Sequence, residues 1–138
     1  MKQSILCTLL VLVLISFGAA LTLQAHHSFA AAYDTGKPIE VKGTILEVRL
    51  TNPHSFFFLE VKDPATGKAD RWAFEAGTPS GMIRNGYKPN ELKAGTPVTI
   101  KGFPAKDPTQ KAGMLQQLIT ADGKTYGMFG PQEGPGAR

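Results

Sequence analysis

Alternating apolar and polar residues predict β-strands along most of the chain between residues 39 and 120. The first strand, residues 39–50, alternates in two registers. One face carries Ile39, Val41 and Ile45, and the opposite face carries Leu46, Val48 and Leu50. Gly43 lies near the change of face. A long strand that exchanges its buried face beside a glycine is typical of a bent or bulged barrel strand.

Four further strands are predicted at residues 55–61, 71–75, 97–103 and 114–120. The second and third form a hairpin around a turn at residues 63–67. A short helix over residues 79–85 separates the third strand from the fourth, with Thr78 as its N-cap, Pro79 in its first turn and Gly86 at its end. The order therefore predicts a mainly β fold, a small five-stranded OB-like barrel with one short helix between strands 3 and 4. A four-stranded sandwich and an α+β roll remain alternatives.

The amino terminus predicts a secretory signal peptide, because Lys2 precedes a short apolar run that gives way to small residues. Cleavage after Ala25 is favoured over cleavage after Ala20, since it removes the whole apolar segment. The predicted organisation is a signal peptide at 1–25, an amino-terminal arm at 26–38, a barrel at 39–126 and a flexible Gly/Pro-rich tail at 127–138. The mature protein is expected in the periplasm or secreted, with membrane contact only through the uncleaved signal peptide.

Composition narrows the classes of function. Cys7 is the single cysteine and lies in the signal peptide, so the mature chain can form neither disulfides nor thiolate metal sites. Removal of the first 25 of 138 residues leaves 113, enough for one domain. The formal net charge of the full chain is only +4, and the basic residues are scattered among acidic residues along the sequence. A nucleic-acid partner is therefore not expected.

Histidine placement suggests a metal site. His26 and His27 follow the favoured cleavage site, and His54 follows the Asn52-Pro53 turn dipeptide at the barrel mouth. A free amino-terminal histidine can chelate through its α-amino nitrogen and its ring, and another imidazole completes a nitrogen plane that suits Cu(II). The candidate metal ligands are thus His26, His27 and His54. A zinc site would need a carboxylate such as Asp34 or Glu75. Equally, the histidine pair could be only a polar chain start, and His54 could cap a turn or donate to Glu75.

Other chemistry is less well supported. No nucleophile elbow, acid pair or cofactor cradle stands out, so we expect a non-enzymatic binding protein. The alternative is an envelope interaction module that binds a peptide or glycan on the barrel face without a metal. That alternative requires Phe56, Phe58 and Trp72 to form one exposed surface. Asn52, Trp72 and Glu75 are the candidate ligand-binding residues.

An ordered series of motifs, AHHSF, TNPHSFFFLEVKD, RWAFEAGTPSGMIRNGY and LKAGTPVTIKGFPAKD, carries a resemblance over nearly the whole mature chain. The chain resembles a family of small exported bacterial proteins of unknown function that share an HHS start, an NPH turn and a WAFE strand. The resemblance implies a secreted OB-like barrel and no particular activity. The matching motif residues are His26, His27, Asn52, Pro53, His54, Trp72, Phe74 and Glu75. Ser55 departs from the apolar residue that often follows the NPH turn.

Overall fold

The computed structural model of the protein describes residues 31–128 and 130–132. The chain divides into two compact units, residues 1–32 and 33–138, and the strands belong to the second. The predicted signal peptide, His26, His27 and residues 133–138 of the predicted tail lie outside the described residues. In the described part of the chain, no helix has the length and hydrophobicity needed to cross a bilayer.

The described strands form one mixed sheet that closes on itself. The strands are β1 (Ile39–Arg49), β2 (Phe56–Lys62), β3 (Ala69–Glu75), β4 (Pro97–Pro104), β5 (Ala112–Thr120), β6 (Thr125–Gly127) and β7 (Gly130–Gln132). Antiparallel pairing runs β3-β2-β1-β4-β5, and a parallel pairing of β3 with β5 closes the ring of five. The predicted five-stranded barrel is therefore confirmed.

Strand β1 has two partners, which explains its two registers. Its first half pairs with β4 and its second half with β2, and Thr44 has a partner in both. The register shifts between Ile45 and Glu47, so Leu46 is the bulged residue, exposed on the surface. The predicted change of buried face is confirmed for Val48 and Leu50, which pack against the core, but it is wrong for Leu46, where the bulge lies. Gly43 serves close packing instead, because a Cβ there would lie 2.6 Å from the backbone oxygen of Glu60.

Helix α1 (Pro79–Arg84) follows β3, as predicted from its capping residues. The Thr78 hydroxyl oxygen accepts a hydrogen bond from the Gly81 N–H at 3.1 Å, which satisfies one of the unpaired donors of the first turn. Gly86, with φ of 93°, follows the C-cap Asn85 and turns the chain out of the helix. The helix contributes Met82 to the core.

Aliphatic and aromatic residues alternate into the barrel interior and form a single core. Fully buried members include Ile45, Phe57, Leu59, Phe74, Ile100, Leu115 and Leu118. Burial of a side chain of this size contributes roughly 1.5–3 kcal/mol. These contacts hold the barrel together without a disulfide, since the described residues contain no cysteine.

Strands β6 and β7 were not predicted from the sequence. β6 pairs with β5, and β7 pairs with β6. Each has only three residues, and the glycine and proline around them obscure any alternation. Tyr126 in β6 is nevertheless buried in the core.

Candidate functional site

The loop that connects β1 to β2 is fixed against the end of β3. The N–H of Ser55 donates to the carbonyl of Gly77 at 2.9 Å, and the N–H of Ala76 donates to the carbonyl of Ser55 at 2.8 Å. Inside the loop, the Thr51 hydroxyl donates to the carbonyl of His54 at 3.0 Å. The peptide bond between Asn52 and Pro53 is cis. The hydrogen bonds of this loop place His54 beside Glu75, the last residue of β3.

Tyr33, in the described part of the amino-terminal arm, reaches the same place from beside the end of β4. Tyr33 forms a β-bridge with Ala105, directly after β4, and the N–H of Asp34 donates to the carbonyl of Pro104 at 2.9 Å. Tyr33 is buried as a result. Its phenol therefore meets Glu75 on the outer surface of the barrel.

Glu75 connects the two side chains through its carboxylate. One carboxylate oxygen accepts a hydrogen bond from the Tyr33 hydroxyl, and the other contacts Nδ1 of His54. Only 15% of the Glu75 side chain is exposed, against 30% of the His54 side chain. Burial, together with the hydrogen bond and the negative charge of Glu75, raises the pKa of Tyr33, so the phenol stays a neutral donor.

This geometry fixes the orientation of the imidazole. Because Nδ1 faces a carboxylate, Nδ1 carries the proton in the neutral ring and Nε2 carries the lone pair. A carboxylate in this position also makes the ring a better donor to a metal. The arrangement can thus present Nε2 as a metal ligand, and equally as a proton acceptor.

The predicted site residues do not all meet. His54 and Glu75 come together, and Asn52 lies in the adjoining loop, exposed. Trp72 packs against the core, stacked on Phe74 with ring centroids 5.7 Å apart. The described residues contain no group of three or more histidine, cysteine, aspartate or glutamate side chains that could hold a metal ion. A complete site would therefore need donors from elsewhere, and His26 and His27 lie outside the described residues.

Asp34, considered as a zinc ligand, pairs instead with Lys37, with Oδ2 3.1 Å from Nζ. The hydrogen bond from Lys37 lowers the pKa of Asp34. Its carboxylate is thus already occupied by a cation beside it in the arm.

The aromatic residues considered as an interaction surface divide between two faces. Phe56 and Phe58 stack on the outer face, 6.1 Å apart. The guanidinium groups of Arg49 and Arg71 lie 4.9 and 4.4 Å from the Phe58 ring centroid. Trp72 belongs to the core side, so the three aromatic residues do not form one exposed surface.

The sequence analysis did not single out Tyr33 and missed its hydroxyl contact with Glu75. A buried tyrosine, unlike a phenylalanine, needs a partner for its O–H, and a nearby acid is a common one. The residue type alone therefore hinted at a polar partner, but 42 residues separate the two positions in the sequence.

Comparison with protein families identifies this chain. A family model described as a family of unknown function, DUF6152, matches residues 13–115, which include His54, Glu75 and most of the barrel. The chain belongs to this family. A search of curated proteins finds no match.

Proposed function

We propose that this member of DUF6152 is an exported, non-enzymatic binding protein of the periplasm that holds one Cu(II) ion. The ligands would be the α-amino nitrogen and imidazole of His26, the imidazole of His54, and His27. The proposal is supported chiefly by the contact between the Glu75 carboxylate and Nδ1 of His54.

That contact matters because histidines that bind metals almost always donate their second ring N–H to a carboxylate, a carbonyl or water. The partner fixes the tautomer and increases the basicity of the ligating nitrogen. A histidine that merely caps a turn has no need of a mostly buried acid. Glu75 thus supplies what a ligating His54 requires.

The choice of Cu(II) follows from the donor set. Amine and imidazole nitrogens in a plane suit a tetragonal ion, and Cu(II) heads the affinity series of divalent metals. The mature chain offers no thiolate to favour zinc. Since each donor must lose its proton to bind, affinity should weaken as the pH falls.

Export decides whether the chelate exists. Cleavage after Ala25 makes His26 the first residue and provides its α-amino group as a ligand. Cleavage after Ala20 would place five residues before His26 and remove that ligand. The sequence expectation of cleavage after Ala25 is therefore part of the proposal.

The test combines mass spectrometry of the amino terminus of exported protein with Cu(II) titration. We expect a terminus at His26, and we expect His54→Ala to weaken Cu(II) binding at least ~10-fold. A second comparison uses the same mature chain with an acetylated amino terminus, which keeps every imidazole and removes only the amine as a ligand. Acetylation should also weaken binding. A terminus at Leu21, or an unchanged affinity in His54→Ala, would contradict the proposal.

The alternative is an envelope interaction module without a metal. It is supported by the half-buried Phe56 and Phe58 pair with arginines above Phe58. Metal-free protein would then bind cell-envelope fractions, and Phe58→Ala would lose that binding while His54→Ala kept it. If metal-free protein does not bind these fractions, and His54→Ala weakens Cu(II) binding while Phe58→Ala does not, the metal site is favoured.

A further inference from the structure

Met114 lies beside Glu75 on the outer surface of the barrel. β3 and β5 run parallel, and Glu75 and Met114 are register partners. Phe74 and Leu115, their neighbours along each strand, are fully buried in the core. Because side chains alternate along a strand, Glu75 and Met114 both point outward. Met114 is half-buried there and does not belong to the core cluster.

The register extends this pair into a row across four strands. Phe56 is the partner of Glu75 on one side, and Phe103 is the partner of Met114 on the other. Both phenylalanines are half-buried. A carboxylate that orients an imidazole and a thioether therefore lie side by side, between two aromatic residues.

We propose that the Met114 thioether and the His54 imidazole together bind Cu(I) on this face of the barrel. The inference rests on the proposed function only through His54, and it does not require the amino-terminal chelate. It extends the ligand of the site from Cu(II) to the reduced ion.

The chemistry of the donors supports the assignment. Thioether sulfur is a soft ligand that selects Cu(I), whereas Cu(II) prefers nitrogen and oxygen. Neighbouring strands lie ~4.8 Å apart, and the methionine side chain is long and unbranched, so its sulfur can reach a metal held beside Glu75. Flanking aromatic rings lower the local polarity, which disfavours a doubly charged ion more than a singly charged one.

The position itself also argues for a role outside packing. Methionine commonly fills irregular gaps in a core. Met82 of α1 does so here and is fully buried. Met114 instead lies on the outer face next to the polar group formed by Tyr33, Glu75 and His54.

The experiment measures Cu(I) and Cu(II) affinities separately on the mature protein. Cu(I) is supplied under ascorbate in competition with the chromogenic chelator bathocuproine disulfonate. We expect Met114→Leu to weaken Cu(I) binding at least ~10-fold and to leave Cu(II) affinity within about twofold. Leucine has nearly the same volume, so the fold should be kept. Met128→Leu, which removes another half-buried thioether, is the matched control and should change neither affinity.

X-ray absorption gives a second readout, because it reports directly whether sulfur binds the copper ion. Cleavage at either proposed site removes Met1 and Cys7, so the sulfur atoms left are those of Met82, Met114 and Met128. Copper–sulfur scattering in the Cu(I) protein, lost in Met114→Leu and kept in Met128→Leu, is the expected result. Absence of that scattering in the unmodified protein would overturn the assignment.

The outcomes separate this inference from the proposed function. If His54→Ala leaves Cu(II) binding unchanged, the proposed Cu(II) site is wrong, irrespective of the affinities measured for Met114→Leu. If His54→Ala weakens Cu(II) binding but Met114→Leu leaves Cu(I) binding unchanged, only the present inference fails. Equal losses of both ions in Met114→Leu would indicate a structural role and would also overturn it.

Discussion

Replacing Glu75 by glutamine removes the negative charge that holds both Tyr33 and His54. The amide keeps the shape of the side chain and one acceptor oxygen, which can serve only one of the two partners. The NH2 group that replaces the second oxygen then faces a donor. Glu75→Gln therefore tests whether the carboxylate organises the site, without opening a cavity.

The size of the effect follows from the two contacts. A hydrogen bond to a charged group is worth about 1.5–3 kcal/mol, and glutamine keeps a weaker version of one of them. Since Glu75 is mostly buried, screening by water reduces this only in part. We expect the free energy of unfolding of the metal-free protein to fall by roughly 1–2 kcal/mol, which for a domain of this size lowers Tm by roughly 4–8 °C. Cu(II) affinity should fall ~10-fold, the lower end of the cost of losing the partner of a ligating histidine.

Thermal unfolding by circular dichroism and Cu(II) titration provide the two measurements. Glu60→Gln is the matched control, because Glu60 lies on neighbouring β2, is 42% exposed and is 4.0 Å from its cation. It should change Tm by less than about 2 °C, as expected for a surface pair. The double variant Tyr33→Phe/Glu75→Gln should cost less than the sum of the two single changes, because both remove the same bond. If Glu75→Gln behaves like Glu60→Gln in both assays, the reasoning is refuted.

Two further predictions concern the tyrosines. All three tyrosines have pKa values raised chiefly by burial, that of Tyr87 to about 12, so the folded state binds their protons more tightly than the unfolded state. The contribution of the tyrosines to the free energy of unfolding should be fully present below pH 10 and should decline as the pH rises through their raised pKa values. Tyrosinate absorbance should therefore appear near pH 10 only in urea. Tyrosinate absorbance near pH 10 in the folded protein would contradict this. The Tyr87 hydroxyl is buried without a hydrogen-bond partner among the described residues, so Tyr87→Phe should keep or raise the free energy of unfolding, by up to ~1 kcal/mol in urea titration. Tyr126→Phe, which removes a hydrogen bond with Lys124, should lower it, and the opposite order would show the assignment to be wrong.

Local patterns predicted most of the fold because the relevant physics is local. Alternation, a capping threonine and turn residues act over a few positions, and they located the hairpin of β2 and β3 and the helix α1. The bulge was expected near Gly43 and lies at Leu46 because its position depends on where β1 exchanges one partner strand for another. The short strands β6 and β7 have too few residues to show any period.

The candidate site was only partly predictable for the opposite reason, since its members are distant in sequence. The NPH turn marked His54, and the contact of His54 with Glu75 was foreseen as one of its two structural roles. Tyr33 and Met114 were not predicted at all as neighbours of Glu75. The proximity of Tyr33 to Glu75 depends on the bridge to Ala105, and that of Met114 depends on the parallel register of β3 and β5. Neither long-range pairing can be predicted from a local sequence pattern.

Closure of the barrel brings the residues of the candidate site, which are distant in sequence, to one place. His54 precedes β2, Glu75 ends β3, and Tyr33 pairs just beyond the end of β4. Antiparallel pairing brings the start of β2 to the end of β3, and the parallel pairing of β3 with β5 adds Met114 at the same level. An imidazole, a carboxylate, a phenol and a thioether thus gather at one rim of the barrel, on the outside, while the core behind them is built of aliphatic and aromatic residues. Because the β3–β5 pairing both closes the ring and sets Met114 beside Glu75, the proposed Cu(I) ligands can be in register only when the barrel is closed.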